Sequence, residues 1–86
     1  MNLNLIKLKT FSKDAKRLYK KYKRLPDDLR TLSKQLSSNP KAGISLGSNC
    51  YKIQLANSSI PTGKSGGFRI IYYYYEGTAE IHCLGQ

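Results

Sequence analysis

Apolar and polar residues alternate near the N-terminus in the manner of a β-strand. Leu3 and Leu5 fall on one face of this segment, whereas Ile6 and Leu8 fall on the other. Because successive side chains of a strand point to opposite faces, the pattern predicts a short strand within residues 2–10, with a bulge as one way to turn all four apolar side chains inward.

Two apolar stripes at helical spacing follow the strand. The stripes are Phe11, Ala15, Leu18 and Tyr22, and then Leu25, Leu29, Leu32 and Leu36. Residues three and four apart share one face of a helix, so the stripes predict two helices. We expect Thr10 or Ser12 to cap the first helix, with Asp14 in its first turn.

The second helix has clear boundaries in the sequence. Pro26 is suited to its first turn, where Asp27 and Asp28 complement the helix dipole, and Asn39-Pro40 should end it. Almost no chain separates the two helices, so they should form a hairpin whose apolar stripes cover the same sheet.

Three β-type runs complete the chain at residues 50–56, 68–75 and 79–84. A hairpin-sized link joins the last two, while residues 41–49 and 57–67 are expected to be loops. The predicted fold is a single α+β domain spanning residues 1–86. Its order is β-α-α-β-β-β, with an antiparallel sheet backed by a helical hairpin.

The composition adds a strong charge to this small fold. The 86 residues carry a net charge of +10, which favours a nucleic acid or an acidic protein as partner. A membrane partner is disfavoured because no segment approaches ~18 consecutive apolar residues, and the N-terminus does not resemble a signal peptide.

The two cysteines are expected to be buried, reduced thiols of a cytoplasmic protein. Cys50 and Cys83 lie in separate apolar runs, and with His82 they supply at most three metal ligands, fewer than a zinc site needs. We therefore expect neither a metal nor another cofactor.

Strand parity places a mixed set of side chains on the sheet face away from the helices. The set is Lys52, Gln54, Arg69, Tyr73, Tyr75, Glu80 and His82. Parity also assigns Cys83 to the covered face and Leu84 to the uncovered one. Lysine and arginine can hold phosphates while tyrosine rings stack on bases, so the set suits single-stranded RNA. An ordinary solvated sheet face remains the alternative.

The segment GKSGG at residues 63–67 does not fit a nucleotide-binding P-loop. That motif needs a glycine five residues before Gly63, where Ser58 stands, and a helix afterwards, whereas a strand is predicted here. Its glycines are more consistent with a tight turn, whose backbone N–H groups can bind an anion.

Three stretches together resemble the RelE/ParE toxin superfamily, and most closely its RelE- and HigB-like branch. They are NPKAGISLG, CYKIQLA and GKSGGFRIIYYYYEG, and with the two basic helices the resemblance covers nearly the whole chain. It implies a toxin controlled by a cognate antitoxin, which enters the ribosomal A site and cuts mRNA without a metal.

The resemblance also implies roles for individual residues. Lys52 matches the basic strand residue of the family, and Arg69 matches its phosphate-binding arginine. His82 is not part of this match; as the only histidine it is a further catalytic candidate, with a neutral space-filling residue of the strand as the alternative. The predicted RNA contacts are Gln54, Lys64, Tyr73 and Tyr75.

Two departures from the family keep alternatives open. Gln54 stands where some members have a second lysine, and family chains usually continue past the last strand into a basic tail, whereas this sequence ends at Gln86. Catalysis would then rest on Lys52, Arg69 and His82, or the protein would be a weakened homologue that binds RNA and antitoxin. A ParE-like inhibitor of DNA gyrase is the other alternative.

Overall fold

The computed structural model describes residues 3–61 and 67–85, and the elements in these ranges follow the order expected from the sequence with one additional strand after the second helix. The helices are α1 (Lys9–Tyr19) and α2 (Leu25–Ser38). The strands are β1 (Asn4–Lys7), β2 (Ile44–Gly47), β3 (Cys50–Leu55), β4 (Phe68–Tyr75) and β5 (Thr78–Gly85). Within the described residues the strands form a five-stranded sheet in the order β1-β5-β4-β3-β2. The predicted α+β class is confirmed.

The sheet differs from the prediction at both of its edges. Strand β1 pairs with β5 in parallel, whereas the other neighbouring pairs are antiparallel. The predicted loop at residues 41–49 contains β2, so this part of the prediction is wrong. All four residues of β2 are exposed, and its apolar–polar alternation covers only Ile44-Ser45-Leu46, which is shorter than the roughly four to eight residues by which a strand is recognised.

One apolar core joins both helices to the sheet. The predicted stripes supply Phe11, Leu18 and Leu25 among others, and β4 supplies Phe68 and Ile70. The helices therefore cover the face of β4 that carries Phe68, Ile70 and Tyr72, as strand parity predicts. No helix within residues 3–61 and 67–85 is long and apolar enough to span a membrane.

Helix α1 is fastened to β5 by the polar residues that were expected to start it. It begins at Lys9 after Leu8 and has no side-chain cap, so the predicted cap at Thr10 or Ser12 is wrong. The Thr10 hydroxyl instead donates a hydrogen bond to the backbone oxygen of His82 at 2.6 Å. Asp14 lies beyond the first turn and accepts a hydrogen bond from the backbone N–H of Leu84 at 3.2 Å.

Helix α2 has the boundaries that the sequence predicts. Pro26, Asp27 and Asp28 all lie in its first turn, and the helix ends at Ser38. Asp28 is buried, and its carboxylate accepts a hydrogen bond from the backbone N–H of Ser58 at 3.0 Å. This contact links the start of α2 to the segment that follows β3.

A bulge in β5 reverses the predicted parity at the end of that strand. Ile71 of β4 pairs with Cys83 and Tyr72 pairs with Ile81, so His82 is an extra residue on β5. Beyond the bulge Leu84 is buried and Cys83 is exposed. The predicted assignment of Cys83 to the core and Leu84 to the uncovered face is therefore wrong.

Tyr72 connects the core of the sheet to the segment between α2 and β2. Its side chain is fully buried and stacks on the Tyr51 ring, with 5.3 Å between the ring centroids. The hydroxyl donates a hydrogen bond to the Pro40 oxygen at 2.8 Å and accepts one from the Gly43 N–H at 3.1 Å. A Cβ atom at Gly43 would lie 2.7 Å from the backbone oxygen of Lys52, so the chain passes close to β3 here.

Tyr72→Phe is expected to lower the free energy of unfolding by about 1–3 kcal/mol, because it leaves the Pro40 oxygen and the Gly43 N–H without this partner. Urea denaturation of the two proteins at neutral pH measures this difference. An unchanged denaturation midpoint would mean that the two hydrogen bonds add nothing to stability.

The same substitution should change the response to alkali. Burial raises the pKa of the Tyr72 phenol, although the hydrogen bond from Gly43 opposes this effect. The fold therefore favours the neutral phenol. The contribution of the neutral Tyr72 phenol to the free energy of unfolding is fully present below its unfolded pKa of about 10. This contribution is lost as the pH rises through the higher pKa of the folded state. The Phe variant should lack this part of the alkaline destabilisation.

Candidate functional site

The sheet face that the helices leave uncovered, termed the open face below, brings together most of the residues selected from the sequence. Those that the structure places there are Lys52, Gln54, Arg69, Tyr73, Tyr75, Glu80 and His82. Those on β3 and β4, and Glu80 on β5, alternate with residues that are buried or face the core. His82 lies at the bulge, and its contacts with Glu80 and Tyr73 place it on this face. The predicted gathering of these side chains is thus observed. Lys64 lies outside the described residues.

The cationic part of the open face is built on the paired strands β3 and β4. Gln54 lies directly opposite Arg69, and Lys52 lies opposite Ile71. Lys52 and Arg69 are therefore diagonal neighbours on one face, a relation that corresponds to about 7–8 Å between Cα atoms. Arg69 is exposed and Lys52 is half-buried. Two cations at this spacing can contact one phosphate from two sides.

The bulge in β5 brings His82 into the same face. Its imidazole Nε2 lies 3.3 Å from the carboxylate Oε1 of Glu80. Its ring packs against Tyr73 with 4.5 Å between centroids and an angle of 54°. The next residue, Cys83, pairs with Ile71 of β4, and Ile71 pairs on its other side with Lys52 of β3. A half-exposed histidine held on two sides can reach a ligand on the face and exchange a proton with it.

Tyr73 is held as a neutral phenol by its neighbour on β3. A hydrogen bond with the Cys50 thiol raises the pKa of the phenol, and electrostatic interaction with the same thiol acts in the same direction. The neutral form predominates well above neutral pH because tyrosine already titrates near pH 10. Tyr73 therefore offers a ring and a hydroxyl donor to a ligand, and it does not serve as a base.

Tyr75 lies at the other end of the open face from Arg69. Tyr75 is six positions after Arg69 on β4, which corresponds to about 20 Å along the strand. The Tyr75 side chain is 63% exposed and has room to stack on a ligand. Cations at one end and aromatic rings at the other match the way in which proteins hold the phosphates and bases of single strands.

Two residues of the open face were missed from the sequence. Ile44 of β2 pairs with Lys52 and is 66% exposed, so it extends the face beyond β3. The alternation in Ile44-Ser45-Leu46 ahead of a Gly-Ser-Asn turn was the available signal. Cys83 was missed because the bulge cannot be read from local parity. The expected burial of both thiols is also wrong, since Cys50 is half-buried and Cys83 is exposed, although both are free as expected.

The described part of the chain shows no cluster of metal-binding side chains. Within residues 3–61 and 67–85 there is no group of three or more His, Cys, Asp or Glu side chains that could hold a metal ion.

The element order, the helical layer on one sheet face and the parallel edge strand define a RelE-like fold. The fold is shared with a mutant form of the Escherichia coli toxin RelE in its free state. The TM-score is 0.72 at 20% sequence identity, and the match covers 100% of this chain and 84% of the RelE chain. No protein-family model and no curated protein sequence matches this chain. The resemblance seen in the sequence is thereby confirmed for the fold.

Proposed function

We propose that this protein is the toxin of a type II toxin–antitoxin pair and that it cuts mRNA on the ribosome in the cytoplasm. One observation carries this proposal. Lys52 and Arg69 lie diagonally on the open face, and β5 brings His82 onto the same face beside Tyr73. Cations, a proton-transfer group and stacking rings are what cleavage of a single RNA strand requires.

The proposed reaction is attack of a ribose 2′-oxygen on the adjacent phosphorus. The new bond joins the 2′-oxygen to phosphorus, and the bond from phosphorus to the 5′-oxygen breaks. The products are a 2′,3′-cyclic phosphate and a free 5′-hydroxyl. The reaction needs a base for the 2′-proton, positive charge for the pentacoordinate phosphorus and a proton for the leaving oxygen.

Three residues of the open face are assigned to these needs. The neutral amine form of Lys52 takes the 2′-proton, and Arg69 binds the phosphate oxygens with its planar guanidinium group as charge accumulates on them. His82 supplies the proton to the leaving 5′-oxygen, with its imidazole held by Glu80 and Tyr73. Gln54, Tyr73 and Tyr75 bind the neighbouring nucleotides, and Lys64 binds phosphate. No metal is needed because side chains provide each proton transfer and the positive charge.

A groove beside the helices is suited to the antitoxin. It lies between α1, α2 and Lys7 of β1, and apolar side chains that include Ala15 and Leu29 line it together with Lys16 and Arg30. Protein interfaces combine an apolar centre with a polar rim. We therefore propose that the antitoxin fills this groove with a segment that carries both apolar and acidic side chains.

The first experiment tests for ribosome-dependent cleavage. The protein is added to a translation reaction with a defined mRNA, and the 5′ ends of the RNA are mapped with and without ribosomes. We expect new 5′-hydroxyl ends within the translated region that appear only when ribosomes are present.

Two other outcomes would contradict this proposal. Intact mRNA together with inhibition of DNA supercoiling by gyrase would favour a ParE-like toxin. Intact mRNA with retained binding to RNA and antitoxin would indicate a homologue that does not cut.

A further inference from the structure

The positive charge of this protein is concentrated away from the open face. Residues 9–24 contain eight of the 15 basic residues and one of the five acidic residues, so this segment carries +7 of the net charge of +10. On the open face, the basic residues among those described are Lys52 and Arg69, with His82 nearby. The proposed site therefore leaves most of the charge without a function.

Four of these cations line one shallow hollow on the outer surface of α1. They are Lys13, Lys16, Arg17 and Lys20. Their positions fall opposite the buried stripe that contains Phe11 and Leu18, because 3.6 residues make one turn. This surface, termed the α1 basic face, points away from the sheet and thus away from the open face.

The α1 basic face is costly to maintain in an isolated protein. Like charges three and four residues apart on a helix repel each other. Within the described parts of the chain, Arg17 has Asp14 as an acidic partner at 3.6 Å, while Lys13, Lys16 and Lys20 have none. The helix dipole favours the cations of the last turn but does not account for Lys13. A bound polyanion would relieve the repulsion.

We propose that the α1 basic face binds the phosphate backbone of double-stranded RNA while the open face acts on a single strand. The α1 hollow is lined by four cationic side chains, whereas the open face pairs a few cations with aromatic rings. Cations without stacking rings hold a backbone and read no bases. Double-stranded RNA is recognised mainly through its shape and its backbone. This inference rests on the proposed function because it takes RNA as the partner.

The geometry of the α1 basic face agrees with this ligand. Helix neighbours three and four residues apart lie about 5–6 Å from one another, so Lys13 to Lys20 form a row about 10 Å long. A row of this length can contact about three phosphates. An acidic protein fits this hollow less well, because a protein interface needs an apolar centre. The groove beside Ala15 and Leu29 offers apolar side chains, whereas the hollow is lined by cationic ones.

The test compares two variants with the same net charge. In the α1 variant, Lys13→Gln and Lys20→Gln are combined; in the control, Lys34→Gln and Lys41→Gln are combined, so neither variant alters the groove proposed for the antitoxin. Glutamine has nearly the helix propensity of lysine, and none of the substituted side chains is buried, so both variants should keep the fold. Circular dichroism and melting curves verify this point before binding is measured.

Binding is followed by fluorescence anisotropy with a 16-base-pair RNA duplex and a 16-nucleotide single strand between 50 and 300 mM salt. Loss of two phosphate contacts should make the salt slope of log K shallower by about 1.5 to 2, and it should weaken duplex binding on the order of 20-fold near 0.15 M salt. We expect the control variant to stay within about fivefold of the unaltered protein. The single strand should lose much less affinity than the duplex in the α1 variant.

Three results would overturn the inference. Equal loss in the α1 and control variants would mean that net charge alone acts, and equal loss for duplex and single strand would remove the preference for duplex. If the α1 basic face bound vesicles with anionic phospholipid more tightly than the duplex, it would be assigned to a membrane. If it bound polyglutamate more tightly than the duplex, it would be assigned to an acidic protein. If duplex binding depends on the α1 basic face but mRNA on ribosomes stays intact, the proposed function is rejected while this inference stands.

Discussion

Arg69→Ala is expected to reduce the rate of mRNA cleavage about 10²–10³-fold, which corresponds to roughly 3–4 kcal/mol of transition-state stabilisation. The guanidinium group is proposed to bind the phosphate oxygens where charge accumulates, and no other described cation of the open face is directly opposite it. The rate is measured on ribosomes programmed with a defined mRNA, under single-turnover conditions so that product release does not limit it.

Stability should not change with this substitution, because the Arg69 side chain is exposed. A suitable control is Arg30→Ala, which removes an exposed arginine of α2 whose guanidinium group lies 2.9 Å from the Asp27 carboxylate. An exposed pair of this kind contributes at most about 1 kcal/mol, and it lies far from the open face. We expect full cleavage activity in this control.

The combination of Arg69→Ala with Lys52→Ala tests whether the two cations act on one step. Groups that work as a unit give losses that are less than additive. We therefore expect the double variant to be little slower than the slower single variant. Full activity of Arg69→Ala with an unchanged fold would reject the cleavage site and favour the gyrase alternative.

His82→Ala is expected to slow cleavage about 10²–10⁴-fold, the range in which a positioned general acid contributes. The histidine side chain is half-exposed, and α1 contacts the backbone oxygen of His82 through Thr10, so the fold does not depend on the imidazole. Cleavage and thermal unfolding are measured on the same preparation.

Cys83→Ala provides the matched control for this experiment. Cys83 is the neighbouring residue of the same bulge and is exposed on the open face, but the proposed mechanism gives it no proton to transfer. It should cleave at the normal rate. Equal activity of His82→Ala and the unaltered protein would show that the leaving oxygen obtains its proton elsewhere and that His82 only packs against Tyr73.

Much of this protein follows from local patterns in the sequence. The periodicity of the two stripes determined α1 and α2, and the first turn of α2 at Pro26 could be read directly. The alternation in β3 and β4 determined which of their side chains face the helices, so Lys52 and Arg69 were placed on a common face. These features depend on residues a few positions apart, and such relations are visible in one sequence.

Other features depend on strands that meet from distant parts of the chain. Strand β5 pairs in parallel with β1 and has a bulge at His82, which leaves Cys83 exposed and Leu84 buried. Both features arise only when the register of β5 is fixed by its two neighbouring strands at once. The charge of residues 9–24 was evident in the sequence. Its location behind the sheet, opposite the open face, was decided by the packing of α1 on the core, because burial of Phe11 and Leu18 turns the lysines outward.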